Sequence, residues 1–332
     1  MTQIKQICAD VIAGLTRNLP TVSRGFRVKH GMTVLSLFLL PLFLFAQTPQ
    51  KETRVFAVKD GQELKMDIHS LSIDCDRKRP ALIFAFGGGF VGGRRDAEQY
   101  IDYFLYFSDR DFVVISIDYR LGMKGQGAPS PFNTRPLRNA IAMGVADLFS
   151  ATNYILENAE EWNIDTERII ISGSSAGAII VLQADYELSN LKPSAEVLPD
   201  DFRFAGVISF AGAIFSTEGV PSYRRRPAPT LFFHGSADRL VPYNHTRFLR
   251  MGMFGSRSLV NRFHERGFPY LFFSKTDIGH EVAVTPMQEF LPEIERFIND
   301  FVIHRSQLQI EVTIRDRFRQ SDTSTTPASF FN

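Results

Sequence analysis

Cysteine is scarce in this chain. Only Cys8 and Cys75 occur among 332 residues, and no C-x-x-C pair is present. That spacing gives no thiolate zinc motif and indicates no disulfide framework. An excess of one charge is also missing. Lys and Arg number 37 against 36 Asp and Glu, for a formal net charge of +1. That balance gives no electrostatic reason to expect nucleic acid or a strongly acidic partner. Tryptophan is nearly absent: one Trp and 9 Tyr stand beside 31 Phe. Such a bias points to a packed core more than to a sugar-stacking platform. No internal repeat is visible.

What is present begins with an apolar run at residues 32–46, M-T-V-L-S-L-F-L-L-P-L-F-L-F-A, preceded by Arg24, Arg27 and Lys29. The run matches a signal-peptide h-region and falls short of the roughly 20 residues of a membrane span. Residues 1–46 are read as an N-terminal extension with a Sec-type signal (h-region 33–46). An uncleaved membrane anchor is the alternative. The preamble before residue 32 is long for a signal, so the start site (Met1 or Met32) stays open. Export would remove Cys8 and leave Cys75 as a lone thiol in an oxidising compartment.

From residue 54 the pattern changes. Arg54–Val58 and Leu64–Ile68 flank Asp60-Gly61, which predicts a hairpin. Ala81–Phe86, Phe112–Ile117, Asp165–Ser172, Phe204–Phe210, Pro229–Phe233 and Tyr270–Phe273 are short runs of the kind buried on both faces of a sheet. Helical stretches lie between them: Ala97–Phe107, Leu137–Glu161, Ala176–Tyr186, Thr246–Glu265 (interrupted at Gly252 and Gly255) and Met287–Phe301. Alternating strands and helices imply an α/β fold, a mostly parallel central sheet with helices on both faces. One domain is expected over 54–305, followed by a polar, flexible tail at 306–332 with one alternating piece, Gln309–Ile314.

The chain is organised around R-I-I-I-S-G-S-S-A-G-A at 168–178. A β-branched run ends in Gly173-Ser174-Ser175-Ala176-Gly177, a G-x-S-x-G pattern, and then becomes helix-compatible. A serine on so tight a strand-to-helix turn is exposed above the sheet, and bulky flanking residues clash. The pentapeptide alone also fits an ordinary packing turn. A serine nucleophile needs a base, and the base needs an orienting carboxylate. Two stretches supply them in the order Ser, Asp, His. They are L-F-F-H-G-S-A-D-R-L-V-P, with Asp238 past a strand, and L-F-F-S-K-T-D-I-G-H-E, with His280 past the last strand. Both belong at the carboxyl edge of the sheet. Ser174 is the rival nucleophile, but Ser175 is the one centred between the glycines. His234 reads as a packed or turn-bonded histidine, His264 as solvated, and Asp277 as too near His280 in sequence to orient it. Oxyanion donors are expected from the N–H of Ala176 and from Gly87-Gly88-Gly89, where no Lys-Ser or Lys-Thr follows to make a nucleotide loop.

Taken together, A-F-G-G-G-F, I-D-Y-R-L, R-I-I-I-S-G-S-S-A-G-A, H-G-S-A-D-R-L-V-P and I-G-H resemble the α/β-hydrolase superfamily. Within it they look most like the carboxylesterase and hormone-sensitive-lipase-like branch, including acetyl and feruloyl esterases. The resemblance spans roughly Val55–Phe301. It implies Ser175 as nucleophile, Asp238 as acid and His280 as base, with Gly88, Gly89 and Ala176 as oxyanion donors. It implies no cofactor and no metal. The expected substrate is a small-molecule or carbohydrate ester, short-acyl or carbohydrate-linked, cleaved through an acyl-enzyme by a secreted or periplasmic serine esterase. A prolyl-oligopeptidase-like peptidase and a non-catalytic binding protein on the same scaffold are the alternatives. Asp118 and Arg120 match a stretch that is usually structural in the family. Many relatives carry histidine before the three glycines, where this chain has Phe86, so support for that loop must come from elsewhere. Pocket walls are expected from the loops Gly122–Pro136 and Ser216–Pro227.

Overall fold

Asp60 and Gly61 both take positive φ, 52° and 76°, the backbone that a tight hairpin turn demands. They join β1 (Gln50–Lys59) to β2 (Gln62–Ser70), which pair antiparallel. The structure, a computed structural model, describes residues 50–70, 77–130, 133–319 and 321. The expected signal segment, Cys8 and Cys75 lie outside the described residues.

Ten further strands follow: β3 (Arg79–Ala85), β4 (Val113–Ile117), β5 (Ile164–Ser174), β6 (Gly206–Phe210), β7 (Ala213–Ser216), β8 (Thr230–Gly235), β9 (His245–Phe248), β10 (Met251–Gly255), β11 (Tyr270–Lys275) and β12 (Gln309–Ile314). Nine of the strands form one sheet in the order β1-β2-β4-β3-β5-β6-β8-β11-β12. From β4 to β12 every neighbouring pair is parallel. All five residues of β4 and of β6 are buried, as continuous apolar runs covered on both faces must be. Helices α1 (Ile101–Ser108), α2 (Arg135–Glu157), α3 (Ala176–Ser189) and α4 (Ser256–Arg266) cover the sheet. Among them α3 is buried almost all round. It lies tight against α2, where a Cβ on Gly144 would meet the Ile180 side chain at 2.6 Å.

Three expectations change. Thr246–Glu265 is not one interrupted helix, because its first half is the β9–β10 hairpin. The glycines mark close backbone approach: a Cβ on Gly252 would stand 2.2 Å from the Thr246 carbonyl oxygen, and one on Gly255 1.6 Å from that of Pro242. β10 also pairs with β7, making a separate three-stranded antiparallel sheet. Met287–Phe301 is likewise divided, into Pro286–Glu289, Leu291–Phe297 and a π-helical turn Ile298–Ile303. Pro292 sits in the first turn of the second piece, where a missing N–H is tolerated. Finally, the domain does not stop at residue 305: Gln309–Ile314 adds a parallel edge strand beside β11.

One buried charge is poorly matched. Asp185 on α3 is buried, and its oxygens receive only the Ala228 N–H at 3.3 and 3.4 Å. Burial raises its pKa to about 7. A raised carboxyl pKa means the folded state binds the extra proton, so stability falls as pH rises from about 4 to 7 and then levels. Asp185→Asn should therefore gain stability over the parent, with the gain growing from pH 5 to pH 8 by about 2.5 kcal/mol. Denaturant melts at the two pH values check this. An equal difference at both would contradict it.

Candidate active site

The glycines around Ser175 are required by space. A Cβ on Gly173 would lie 2.3 Å from the Gly177 carbonyl oxygen, and one on Gly177 2.0 Å from the Ala85 carbonyl oxygen. Between them Ser175 takes φ 51° and ψ −113°, a left-handed backbone that is strained for a residue with a side chain. Two hydrogen bonds hold it there. The Ser175 N–H donates to Phe210 O at 2.9 Å, and its carbonyl accepts from the Ile179 N–H at 2.9 Å. The methyl of Ala178 fits because the facing residue is Gly212, whose Cβ would come within 2.8 Å of it.

Strand register brings the other groups to the same edge. Ala85 pairs with Gly173, and Gly235 with Lys275. The loops after β3, β5, β8 and β11 thus leave the sheet side by side. Ser175 Oγ lies 2.8 Å from His280 Nε2, and His280 Nδ1 lies 2.7 Å from Asp238 Oδ2. Asp238 is buried and also accepts the N–H groups of Leu240 (2.9 Å) and Val241 (3.0 Å) on Oδ1. Burial alone would raise its pKa. Hydrogen bonds from His234 and His280 outweigh that and hold it well below the usual carboxylate range.

The competing residues are engaged elsewhere. Ser174 Oγ is buried and donates to Ala283 O at 2.8 Å. Asp277 pairs with Arg315, not with His280. His264 is exposed. Arg120 clasps the buried Asp147 carboxylate through Nε and Nη2, while Asp118 pairs with Arg95.

The three glycines after β3 turn back beside the serine. A Cβ on Gly87 would touch Ser174 Oγ at 3.0 Å and Ser175 Cβ at 3.3 Å. Gly88 (φ 135°) shapes the turn, its carbonyl accepting from Val91 and Gly92. Gly89 and Ala176 border the same cavity as Ser175, whereas Gly88 does not. Before the three glycines, Phe86 stacks on Tyr119 with centroids 4.3 Å apart, and the Tyr119 hydroxyl donates to Phe86 O at 2.9 Å. A second tyrosine, Tyr100, accepts the Gly87 N–H at 3.1 Å and reaches Ser174 Oγ at 3.4 Å. These two side chains supply the support that the residue at 86 does not.

The BD-FAE family model matches residues 66–214, a stretch containing the glycine loop and the serine turn. The structure also superposes on an esterase from Thermogutta terrifontis with propionate bound. The TM-score is 0.59 at 21% identity, over 77% of this chain and 96% of that one. The chain has the α/β-hydrolase fold. Among curated relatives, this chain is 30% identical over 118 residues to Esterase B1 of Culex pipiens, covering 36% of this chain and 21% of that protein. It is 31% identical over 101 residues to fumonisin B1 esterase of Sphingopyxis macrogoltabida, covering 30% of this chain and 18% of that protein. The matched segments therefore span about a fifth of those relatives.

Ser175 opens on a cavity of about 440 Å³. Phe90, Leu137, Ile179, Phe215 and Val241 line it, together with β9–β10 residues such as Met251 and Met253. Pro129, Ser130 and Thr134 come from the expected Gly122–Pro136 region. Ser216–Pro227 contributes nothing to this cavity; Ser216, Thr217 and Glu218 border a separate one of about 360 Å³ beyond Phe215. The hairpin wall went unread because its alternation was masked by two glycines that look like helix breaks. Among the described residues no cluster of three metal-ligating side chains occurs.

Tyr100→Phe should leave the Gly87 N–H without its acceptor and destabilise the protein by about 1–3 kcal/mol. Urea denaturation at fixed pH checks this, and an unchanged midpoint would mean Tyr100 does not support the loop.

Proposed function

We propose that this protein is a serine esterase acting on carboxylic esters through an acyl-enzyme. The observation that carries the reading is the unbroken row Ser175 Oγ–His280–Asp238, at 2.8 and 2.7 Å, opening on an apolar cavity. In the first step His280 Nε2 takes the Ser175 proton as Oγ bonds to the ester carbonyl carbon. The carbonyl oxygen becomes an oxyanion facing the backbone N–H groups of Ala176 and the glycine loop, each good donor being worth roughly 3 kcal/mol. Ala176 is the first residue of α3, so its N–H has no partner within the helix. His280 then returns the proton to the leaving alcohol as the C–O bond breaks. Water, deprotonated by His280, releases the acid and restores the serine. Asp238 keeps Nδ1 protonated and balances the charged ring.

The cavity supports a reading of the substrate. Its walls are mainly apolar, and about 440 Å³ lies in the range of small-molecule sites. It suits an acyl group at least as large as a short aliphatic chain, with the alcohol portion directed outward. Esters of small alcohols and of carbohydrates both meet that requirement. Fumonisin B1 esterase and Esterase B1, as their names state, act on esters, which agrees with the reaction class. Export through the segment at residues 24–46 belongs to the same proposal and rests on its basic flank and apolar run.

Purified Ser175→Ala should lose turnover of a short nitrophenyl ester by ~10³-fold or more, while a dipeptidyl anilide should be a poor substrate for the parent. Retained ester turnover in the variant would sink the assignment, and preference for the anilide would make the protein a peptidase.

A further inference from the structure

His234, which the sequence reads as a packed or turn-bonded histidine, touches the acid of the row. It lies near the end of β8 and is completely buried. Its Nε2 stands 3.2 Å from Val241 O and 3.3 Å from Asp238 Oδ2. A carbonyl and a carboxylate can only accept, so Nε2 carries a proton. Its Nδ1 lies 2.8 Å from Ser256 Oγ, at the start of α4, and that hydroxyl fixes the ring's orientation from behind. The Tyr243 ring meets the imidazole edge-on at 5.6 Å, and Ser274 is its neighbour across β11. Tyr243 and Ser274 bond to each other at 2.6 Å. Asp238 is thus the charged group that His234 contacts.

Two imidazoles therefore converge on one oxygen, Asp238 Oδ2, with His280 at 2.7 Å and His234 at 3.3 Å. A buried carboxylate keeps its charge and orientation only if its lone pairs are met by donors. The loop supplies two backbone N–H groups to Oδ1, so His234 is the donor that Oδ2 has besides the base itself. We infer that His234 is a positioning residue for the proposed triad: it keeps Asp238 ionised and turned toward His280. Ser256 acts one step further out by holding the His234 ring. The inference rests on the esterase reading above and adds to it a five-residue row, Ser256–His234–Asp238–His280–Ser175.

His234→Leu removes the donor at similar size, and His234→Gln restores an N–H at the end of a flexible chain. With a short nitrophenyl ester, His234→Leu should lower kcat roughly 10-fold or more with KM little changed. The acidic limb of its kcat/KM profile should move to higher pH, because Asp238 Oδ2, stripped of one donor, stabilises the charged His280 ring more strongly. His234→Gln should recover most of both. A folded His234→Leu protein with the parent's kcat and acidic limb would overturn the inference. So would equal behaviour of the Leu and Gln variants, which would make the role one of packing. If His234→Leu does not fold, Ser256→Ala serves: it should shift the acidic limb in the same direction, and an unmoved limb overturns the proposal. Failure of the esterase reading looks different, since Ser175→Ala would then match the parent while the His234 arms were irrelevant.

Discussion

The α-carbon of Gly177 comes so near the end of β3 that any side chain there would strike the Ala85 carbonyl oxygen. The rest of the site depends on this contact. It lets α3 start directly above the sheet edge, and the chain can only reach that start by bending through a left-handed Ser175. Strain of that kind persists only where the surroundings over-determine it. Here the surroundings are Gly173, Gly177, the Phe210 carbonyl and the buried helix α3. The serine hydroxyl is therefore held in place before any ligand arrives, which is what a proposed nucleophile needs.

The same edge is cross-linked by polar contacts that do no chemistry themselves. The Gly87 N–H donates to Tyr100, Tyr100 reaches Ser174, and the Ser174 hydroxyl donates to Ala283 O. That series joins the glycine loop, the serine turn and the short helical turn His280–Ala283 that carries the base. Tyr119 braces the glycine loop from its other side by stacking on Phe86. The loop is thus kept by two tyrosines, with Phe86 stacked on Tyr119. On the acid side His234 and Ser256 play the corresponding part for Asp238.

Much of this could be read from the chain alone, and the reason is local. Ile169-Ile170-Ile171 followed by G-S-S-A-G encodes strand, turn and helix within a dozen residues. Asp238 and His280 each follow an apolar run closely, so strand order alone puts them at one edge. What could not be read depends on partners far apart in sequence. The β9–β10 hairpin becomes a strand pair only with β7 more than thirty residues earlier, and its glycines imitate helix interruptions. β12 follows a polar stretch and is partly exposed, so its alternation was too weak to distinguish an edge strand from a tail. The roles of Tyr100, Tyr119 and His234 arise from contacts across the fold that no spacing announces.

The central claim is that Ser175 itself becomes acylated, and trapping the intermediate tests it most directly. The protein is mixed with a short nitrophenyl ester, quenched in acid within the first turnovers, digested and examined by mass spectrometry. An acyl group is expected on Ser175, appearing with the first nitrophenol released and decaying once the ester is consumed. Steady turnover with no acyl group on that residue, or with the acyl group on Ser174, would contradict it.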